Sequence, residues 1–271
     1  MITPQTWGSY WDYFGEHLVD VARPHGGASV LDVGTGGGST LYPAALDVGP
    51  SGHVTGIDMF FPSVMVTSAE IKRCGFSNAD MLMMDARNMG FADESFDLMI
   101  SGFIGWDDWF DFATCKHIAE DRIMEATWRI LKKGGRAAIS GWVVQEDTEK
   151  FRAILADYLS ERASDPTTDK VRLPLMYSKE NDKGWKIIMS SAGFKKMKTL
   201  TLTGSFTDED ADAQWKRMMR SGWGYHLSGL KRSQGLDLKD LKKYAVDEIV
   251  GLKGLGAIGY ERTVVFALGE K

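Results

Sequence analysis

The chain has 271 residues, 44% hydrophobic and 25% charged, with a formal net charge of −5. That length can bury a sizeable core in one large domain with additions. An acidic chain whose basic stretches, Lys195 to Lys198 and Lys242-Lys243, are interrupted or flanked by other residue types is excluded as a protein that binds nucleic acid through phosphate contacts.

In chain order, Trp7, Trp11, Phe14, Leu18 and Val21 fall at helical spacing and predict a helix from Thr6 to Ala22, ending before Pro24. Ser29 to Val33 reads as a buried strand, and a hydroxyl of Ser39 or Thr40 can cap the helix that follows. His53 to Asp58 is the next strand, and Pro62 starts a helix that runs to about Cys74, before Gly75. Strands follow at Ala79 to Met84 and Phe96 to Ser101, then a helix from Lys116 to Leu131 ended by Gly134-Gly135, then a strand from Arg136 to Trp142. Beyond it lie helices at Asp147 to Arg162 and Lys183 to Ala192, separated by a polar connection from Asp165 to Pro174. A strand from Lys196 to Thr203, helices at Asp208 to Arg220 and Leu238 to Val250, and an apolar strand from Tyr260 to Leu268 complete the chain. Alternating strands and helices predict an α/β fold with a parallel sheet covered on both faces.

The stretch Val30 to Gly38, Val-Leu-Asp-Val-Gly-Thr-Gly-Gly-Gly, carries the most chemistry. A strand leads into Asp32 and then into Gly34, Gly36 and Gly38, which admit backbone conformations and a ligand approach that a Cβ would block. A dinucleotide fingerprint from Gly34 needs glycine at position 39, where Ser39 stands, and one from Gly36 needs it where Leu41 stands. Asp58 ends the second strand, 20 residues beyond Gly38, where a carboxylate can accept both ribose hydroxyls of an adenosine; Met59 follows it. At the end of the third strand Asp85 can accept from an adenine amino group, with the Ala86 N–H meeting a ring nitrogen. Ser101 and Gly102 close the fourth strand at the edge where such sheets take ligands.

Asp32-x-Gly34-x-Gly36-x-Gly38 resembles the first motif of class I S-adenosylmethionine (SAM) dependent methyltransferases. Asp85-Ala86, an aromatic, Asp93-Glu94-Ser95-Phe96-Asp97, an apolar strand and a helix ending Ile130-Leu131-Lys132-Lys133-Gly134-Gly135 are similar to the ubiquinone/menaquinone-biosynthesis type. The resemblance covers residues 30 to 143. It implies a Rossmann-like, doubly wound seven-stranded sheet, its last strand antiparallel, with helical cap insertions. It also implies one domain over 1–271: an N-terminal helix in 1–25, a cofactor core in 26–143, and cap or substrate segments in 144–195 and 204–259. SAM is the implied cofactor, and Tyr10 on the first helix can offer an aromatic face to its sulfonium.

Methyl transfer is an in-line displacement that rests on proximity and orientation, so a dedicated base is optional. For the acceptor pocket the sequence offers Trp106, Trp109, Trp142, Trp223 and Tyr225, and for proton transfer Asp107 and His226. The acceptor is expected to be a small, partly apolar molecule; the methylated atom (O, N, C or S) and the oligomeric state stay open. No acids stand at the ends of strands four and five, so no metal is expected. Two alternatives are a SAM-binding sensor or partner subunit without transfer, and an NAD-dependent oxidoreductase. Cys74 and Cys115 form no Cys-x-x-Cys pair and suit a reducing cytoplasm. Met1 to Tyr10 has neither a basic n-region nor an apolar h-region, and no stretch is long and apolar enough to insert in a membrane, which predicts a cytoplasmic protein.

Overall fold

A computed structural model describes residues 9–162, 179–234 and 236–271. The expected helix start at Thr6 with Trp7, and the Asp165 to Pro174 connection, lie outside the described residues. The chain divides into two compact units: 1–143, 178–202 and 264–271 form the first, and 144–177 with 203–263 the second. The boundaries fall inside three long strands, and residues 179–195, expected among the cap segments, fold with the first unit.

The first unit begins with α1 (Tyr10–Ala22), capped by Ser9, whose hydroxyl accepts from the Asp12 N–H while the Asp12 carboxylate accepts from the Ser9 N–H at 3.0 Å. This reciprocal pair satisfies two helix-end donors at once. Strand β1 (Ser29–Val33) follows, then α2 (Leu41–Val48), β2 (His53–Asp58), α3 (Phe61–Cys74), β3 (Ala79–Met83) and β4 (Phe96–Gly102). Pro62 stands in the first turn of α3, and Gly75, at φ 76°, closes it with its N–H donating to the Ile71 and Lys72 carbonyls. A glycine is needed there because the left-handed conformation strains a residue with a Cβ.

The expected helix from Lys116 to Leu131 is shorter. Its first two residues form β6 (Lys116–His117), which pairs in a hairpin with β5 (Phe110–Asp111) ahead of the expected helix; Asp111 turns the hairpin, accepting from the Ala113 N–H at 2.9 Å and the Thr114 hydroxyl at 2.6 Å. Helix α4 (Arg122–Ile130) starts only where Asp121 caps it, accepting from the Met124 N–H at 2.9 Å. Local side-chain bonds to the backbone outcompete helix over these residues. Nor do Gly134-Gly135 end the helix, because the chain turns to strand β7 (Leu131–Gln145) directly after Ile130.

After α5 (Glu146–Arg162) come α6 (Asp182–Ser191), β8 (Lys195–Asp208), α7 (Ala211–Met219), α8 (Gly222–Gln234), α9 (Leu238–Lys253) and β9 (Ile258–Glu270). Seven strands make one sheet in the order β3-β2-β1-β4-β7-β9-β8. Parallel pairing joins β3 through β7, and the last strand, β9, runs antiparallel between β7 and β8. Because β1 lies between β2 and β4, the strand order reverses beside it, which opens a crevice at the carboxyl ends of these strands. The core of this unit packs Leu31, Val33, Met99 and Ile139 of the sheet against Ile123, Trp185 and Ile188 of the helices.

The second unit has its own core, in which Phe151, Leu155, Trp215, Trp223, Leu227 and Leu241 come from α5, α7, α8 and α9. Helix α8 was not expected, since Gly222 and Gly224 dilute its pattern; yet Trp223, Leu227 and Leu230 recur at helical spacing and are buried. Gly224 is required by packing, because a Cβ there would overlap the Met219 carbonyl. Among the described residues no helix is long and apolar enough to cross a membrane.

A buried ion cluster ties this unit together. Asp147, with a fully buried side chain, pairs with Arg262 at 2.7 Å and Arg217 at 2.7 Å, and Arg217 also pairs with Asp208 at 2.7 Å. Burial alone would raise the Asp147 carboxyl, but the Arg262 and Arg217 guanidiniums more than offset it and hold the carboxyl below its usual range. The stabilisation it gives is therefore complete above the ordinary carboxylate range and is lost as pH falls through its lowered value. Asp147→Ala should destabilise the protein by about 3–5 kcal/mol, since it takes a counter-charge from the buried Arg262, while Arg217 keeps Asp208. Urea unfolding at neutral pH measures this, and a loss below about 1 kcal/mol, the ordinary value for an exposed pair, would refute the assignment.

Candidate functional site

At the carboxyl end of β1 the chain enters the glycine loop, with Gly34 at φ 71°, Gly36 at φ 53° and Gly38 at φ 89°. Two of these glycines are also fixed by close approach: a Cβ at Gly34 would overlap Ile104, and one at Gly38 would overlap the Tyr42 ring. The loop is held from three sides. The Gly34 and Thr35 N–H groups donate to the Ile57 carbonyl, the Thr67 hydroxyl donates to the Gly36 carbonyl at 2.6 Å, and the Gly36 N–H donates to Asp58 Oδ2 at 2.9 Å.

Asp32 is fully buried beneath this loop. Both of its carboxylate oxygens lie 2.8 Å from Thr40 Oγ1, the hydroxyl that donates to them. Thr40 is the N-cap residue of α2, and the expectation that Ser39 or Thr40 caps that helix is corrected: Thr40 turns to Asp32, and Ser39 donates to Asp12 Oδ1 at 3.1 Å. Burial raises the Asp32 carboxyl to about 7, the Thr40 hydroxyl opposes the rise, and Asp58 adds to it. A carboxylate with no cation beside it takes up a proton more readily than one in water.

A cavity of about 480 Å³ lies over the loop, lined by Asp12, Trp11, Gly36, Thr40, Phe103 and Ile104 among others. None of the described residues lining it is Lys, Arg or His. Asp58, half-buried at the end of β2, accepts from the Gly36 N–H through one oxygen and from the Phe60 N–H at 2.8 Å through the other. Each oxygen keeps a second lone pair to offer, and the two backbone donors fix the plane of the group. Among the described residues no group of three or more His, Cys, Asp or Glu is arranged to hold a metal ion.

The structure gathers some of the sequence-selected residues here and places others elsewhere. Gly34, Gly36 and Gly102 line the cavity, with Gly38, Asp32 and Asp58 in the loop and its supports. Ser101 is buried, its hydroxyl donating to the Val33 carbonyl at 3.0 Å, so it braces β1 against β4. Asp85 caps the short turn Ala86–Asn88 and accepts from Nε and Nη2 of the Arg87 guanidinium, which holds its carboxyl below the usual range. Met59 is exposed.

Tyr10 and Trp142 belong to an aromatic cluster on the cavity side, in which Trp142 stacks on Phe103 at 4.2 Å and meets the edges of Tyr10, Trp11 and Phe14. Trp106 is a core residue, fully buried with its indole N–H donating to Asp121 Oδ2 at 2.5 Å, and Trp109 packs half-buried against the same core. Asp107 is exposed. Trp223, Tyr225 and His226 belong to the second unit, where Trp223 is a core residue, Tyr225 is 83% exposed, and burial lowers the His226 pKa. Asp12, Trp11, Phe103 and Ile104 were not selected from the sequence. The Ser9-x-x-Asp12 spacing is a capping pattern, a signal for a helix end rather than for a cavity.

Comparison with known proteins gives the same picture. The chain is 39% identical over 89 residues to aklanonic acid methyltransferase of Streptomyces sp. strain C5, a stretch that is 33% of this chain and 40% of the relative. It is 30% identical over 135 residues to demethylmenaquinone methyltransferase of Listeria welshimeri, 47% of this chain and 53% of that one. The chain thus spans about half or less of the length of these curated relatives. Among solved structures, a methyltransferase candidate from Bacillus halodurans shares the fold, with a TM-score of 0.57 at 19% identity over 95% of this chain and 98% of the other. The family described as a methyltransferase domain matches residues 24–200, more than half of the chain, and the chain belongs to that family, within the class I SAM-dependent methyltransferases.

Proposed function

We propose that the chain binds SAM in the cavity over the glycine loop and transfers its methyl group to a small acceptor. The observation that carries this reading is the sign of the charge around the loop. Asp12 lines the cavity, Asp32 lies beneath it and Asp58 holds its floor, while no cationic side chain lines it among the described residues. A cationic ligand gains from that field, and the pyrophosphate of a dinucleotide loses by it. The loop fits SAM in shape as well, because its glycines leave backbone open where Cβ atoms would project. Asp58 has the free lone pairs to accept both ribose hydroxyls.

Bound SAM supplies an electrophilic methyl on a cationic sulfonium. The chain's own part is to fix the direction of attack. Asp58 and the loop hold the nucleoside end, Gly102 leaves room beside β4, and the rings of Trp11, Phe103 and Trp142 exclude water from the side where the acceptor approaches. Orientation of this kind can be worth about 7–11 kcal/mol. Both curated relatives are named for a small-molecule acceptor, which supports an acceptor of that class here. In this reading 1–271 is one catalytic chain, with the cofactor core in 26–143 and acceptor selection assigned to the segments 144–195 and 204–259.

Isothermal titration calorimetry with SAM and with NAD tests the cofactor: saturable binding of SAM alone is expected, and saturable binding of NAD alone sinks the reading. Asp58→Ala should weaken SAM binding by about 1.5–3 kcal/mol, roughly 10- to 150-fold, through loss of charge-assisted hydrogen bonds. An unchanged dissociation constant would remove Asp58 from the ribose site.

Asp32 gives a pH signature. Its folded carboxyl is raised to about 7, so without ligand the native state holds a proton that the unfolded chain releases near 4. Stability from this group is complete below the unfolded value and is lost as pH rises through about 7, an effect on the order of 4 kcal/mol. A cationic ligand favours the ionised form, so SAM should bind more tightly as pH rises across this value, with proton release on binding. Calorimetry in buffers of different ionisation enthalpy measures the release, and Asp32→Asn should abolish it.

A further inference from the structure

The outermost strand of the sheet, β3, has an open side. It pairs with β2 alone, and no register shift interrupts that ladder. The Val54 N–H donates to the Asn78 carbonyl and the Met84 N–H donates to the Asp58 carbonyl, so the even-numbered residues of this segment bond toward β2. Backbone groups alternate in direction along a strand, which turns the N–H and C=O of Ala79, Met81 and Met83 outward. Among the described residues nothing bonds to them. Sheet edges are ordinarily blunted by Lys, Pro or a bulge. Strand β3 has none of these, and its one charged residue, Asp80, lies 3.2 Å from His53 Nε2 of its own sheet.

The surface beside this open side is apolar. Thr67 of α3 turns toward the glycine loop, where its hydroxyl donates to the Gly36 carbonyl, and Glu70 stands near Tyr42 of α2. At about 100° per residue, Phe61 and Met65 fall on the opposite flank of α3, the one away from β1 and toward the β3 edge. Phe61, Met65, Leu82 and Met83 are 40–63% exposed. At about 200 Å² for a large side chain, they leave about 400 Å² of apolar surface open. Homodimer interfaces are about 65% apolar, so this patch corresponds to about 600 Å² per copy, the area at which stable dimers begin.

We propose that the open side of β3 pairs with β3 of a second copy of this chain, antiparallel and centred on Met81. A two-fold axis through that point sets Ala79 opposite Met83 of the second copy and Met81 opposite itself. All three outward residues then exchange both hydrogen bonds with the residue they face, so the edge is its own complement. A slip of one residue would set outward groups against groups already bonded to β2. The same axis keeps α3 and its copy on one face of the joined sheet, with Phe61 and Met65 of each turned to the seam. No residue of β3 or α3 lines the cavity over the glycine loop, so the dimer stands apart from the cofactor reading.

Sedimentation velocity of the full chain at up to about 100 µM should show a dimer with a dissociation constant in the micromolar range. Met65→Lys combined with Leu82→Lys, both at exposed positions, should raise that constant about 100-fold or more and leave the circular dichroism unchanged. Oxidised Met81→Cys should link to its own copy, because facing residues of a bonded pair have Cα atoms about 5.5 Å apart, within disulfide reach. Leu82→Cys, which faces Asp80 of the second copy, should not. Peptide mass mapping separates these links from any through Cys74 or Cys115. A chain that stays monomeric at about 100 µM overturns the proposal and leaves the edge to a strand from another protein. A dimer that survives the double substitution, or one in which Met81→Cys forms no link, overturns it as well, because the contact then lies elsewhere. Should the double variant fail to fold, the two cysteine variants decide the matter.

Discussion

Asp32 stands at the carboxyl end of the central strand with its side chain out of water, and the group that meets both of its oxygens is a hydroxyl rather than a cation. A buried charge without a counter-charge is costly, so this position holds either a proton or the field of a cationic ligand. The geometry above it follows. Thr40 turns its hydroxyl down to Asp32 and leaves the start of α2 without a side-chain cap, and the Tyr42 N–H there donates to the Gly38 carbonyl of the loop instead. The loop itself is fastened to the end of β2 by the bond from the Gly36 N–H to Asp58.

The glycine loop and the strands that flank it were legible because their demands are local. Glycines at 34, 36 and 38 are forced by positive φ and by Ile104 and Tyr42, and the strands Ser29–Val33 and His53–Asp58 have the bounds their apolar runs predict. Pro62 and Gly75 bracket α3 for reasons that lie within a few residues of each. Where the reading failed, a side chain chose a partner the pattern could not show. Asp121 caps α4 and starts it later than the pattern predicts, behind the hairpin that Asp111 turns, and Trp106, taken for a pocket wall, is drawn into the core by Asp121 and Trp185. Glycines hid α8 because a close approach to Met219 looks, in sequence, like a turn signal.

The second unit shows the converse. Its helices pack Phe151, Trp215 and Trp223 in an ordinary amphipathic manner, but its most buried polar feature, the Asp147, Arg217 and Arg262 cluster, joins residues that no local pattern connects. Arg262 sits in a strand that reads as almost continuously apolar, and its cost of burial is met only because Asp147 and Gln145 face it. Such a cluster fixes which surfaces pair, since any other register would leave a charge buried alone.

The same contrast explains why an acceptor is harder to read than a cofactor. A nucleoside cofactor presents one constant shape to the ends of consecutive strands, so its contacts come from a short run of sequence and recur at fixed spacing. The aromatic cluster beside the cavity draws Trp11 from the first helix, Phe103 from the loop after β4 and Trp142 from β7. Only the fold brings these together. Gly141, beside Trp142, shows the same: nothing in its neighbours marks it, yet any side chain there would displace Glu180, whose N–H donates to the Trp142 carbonyl.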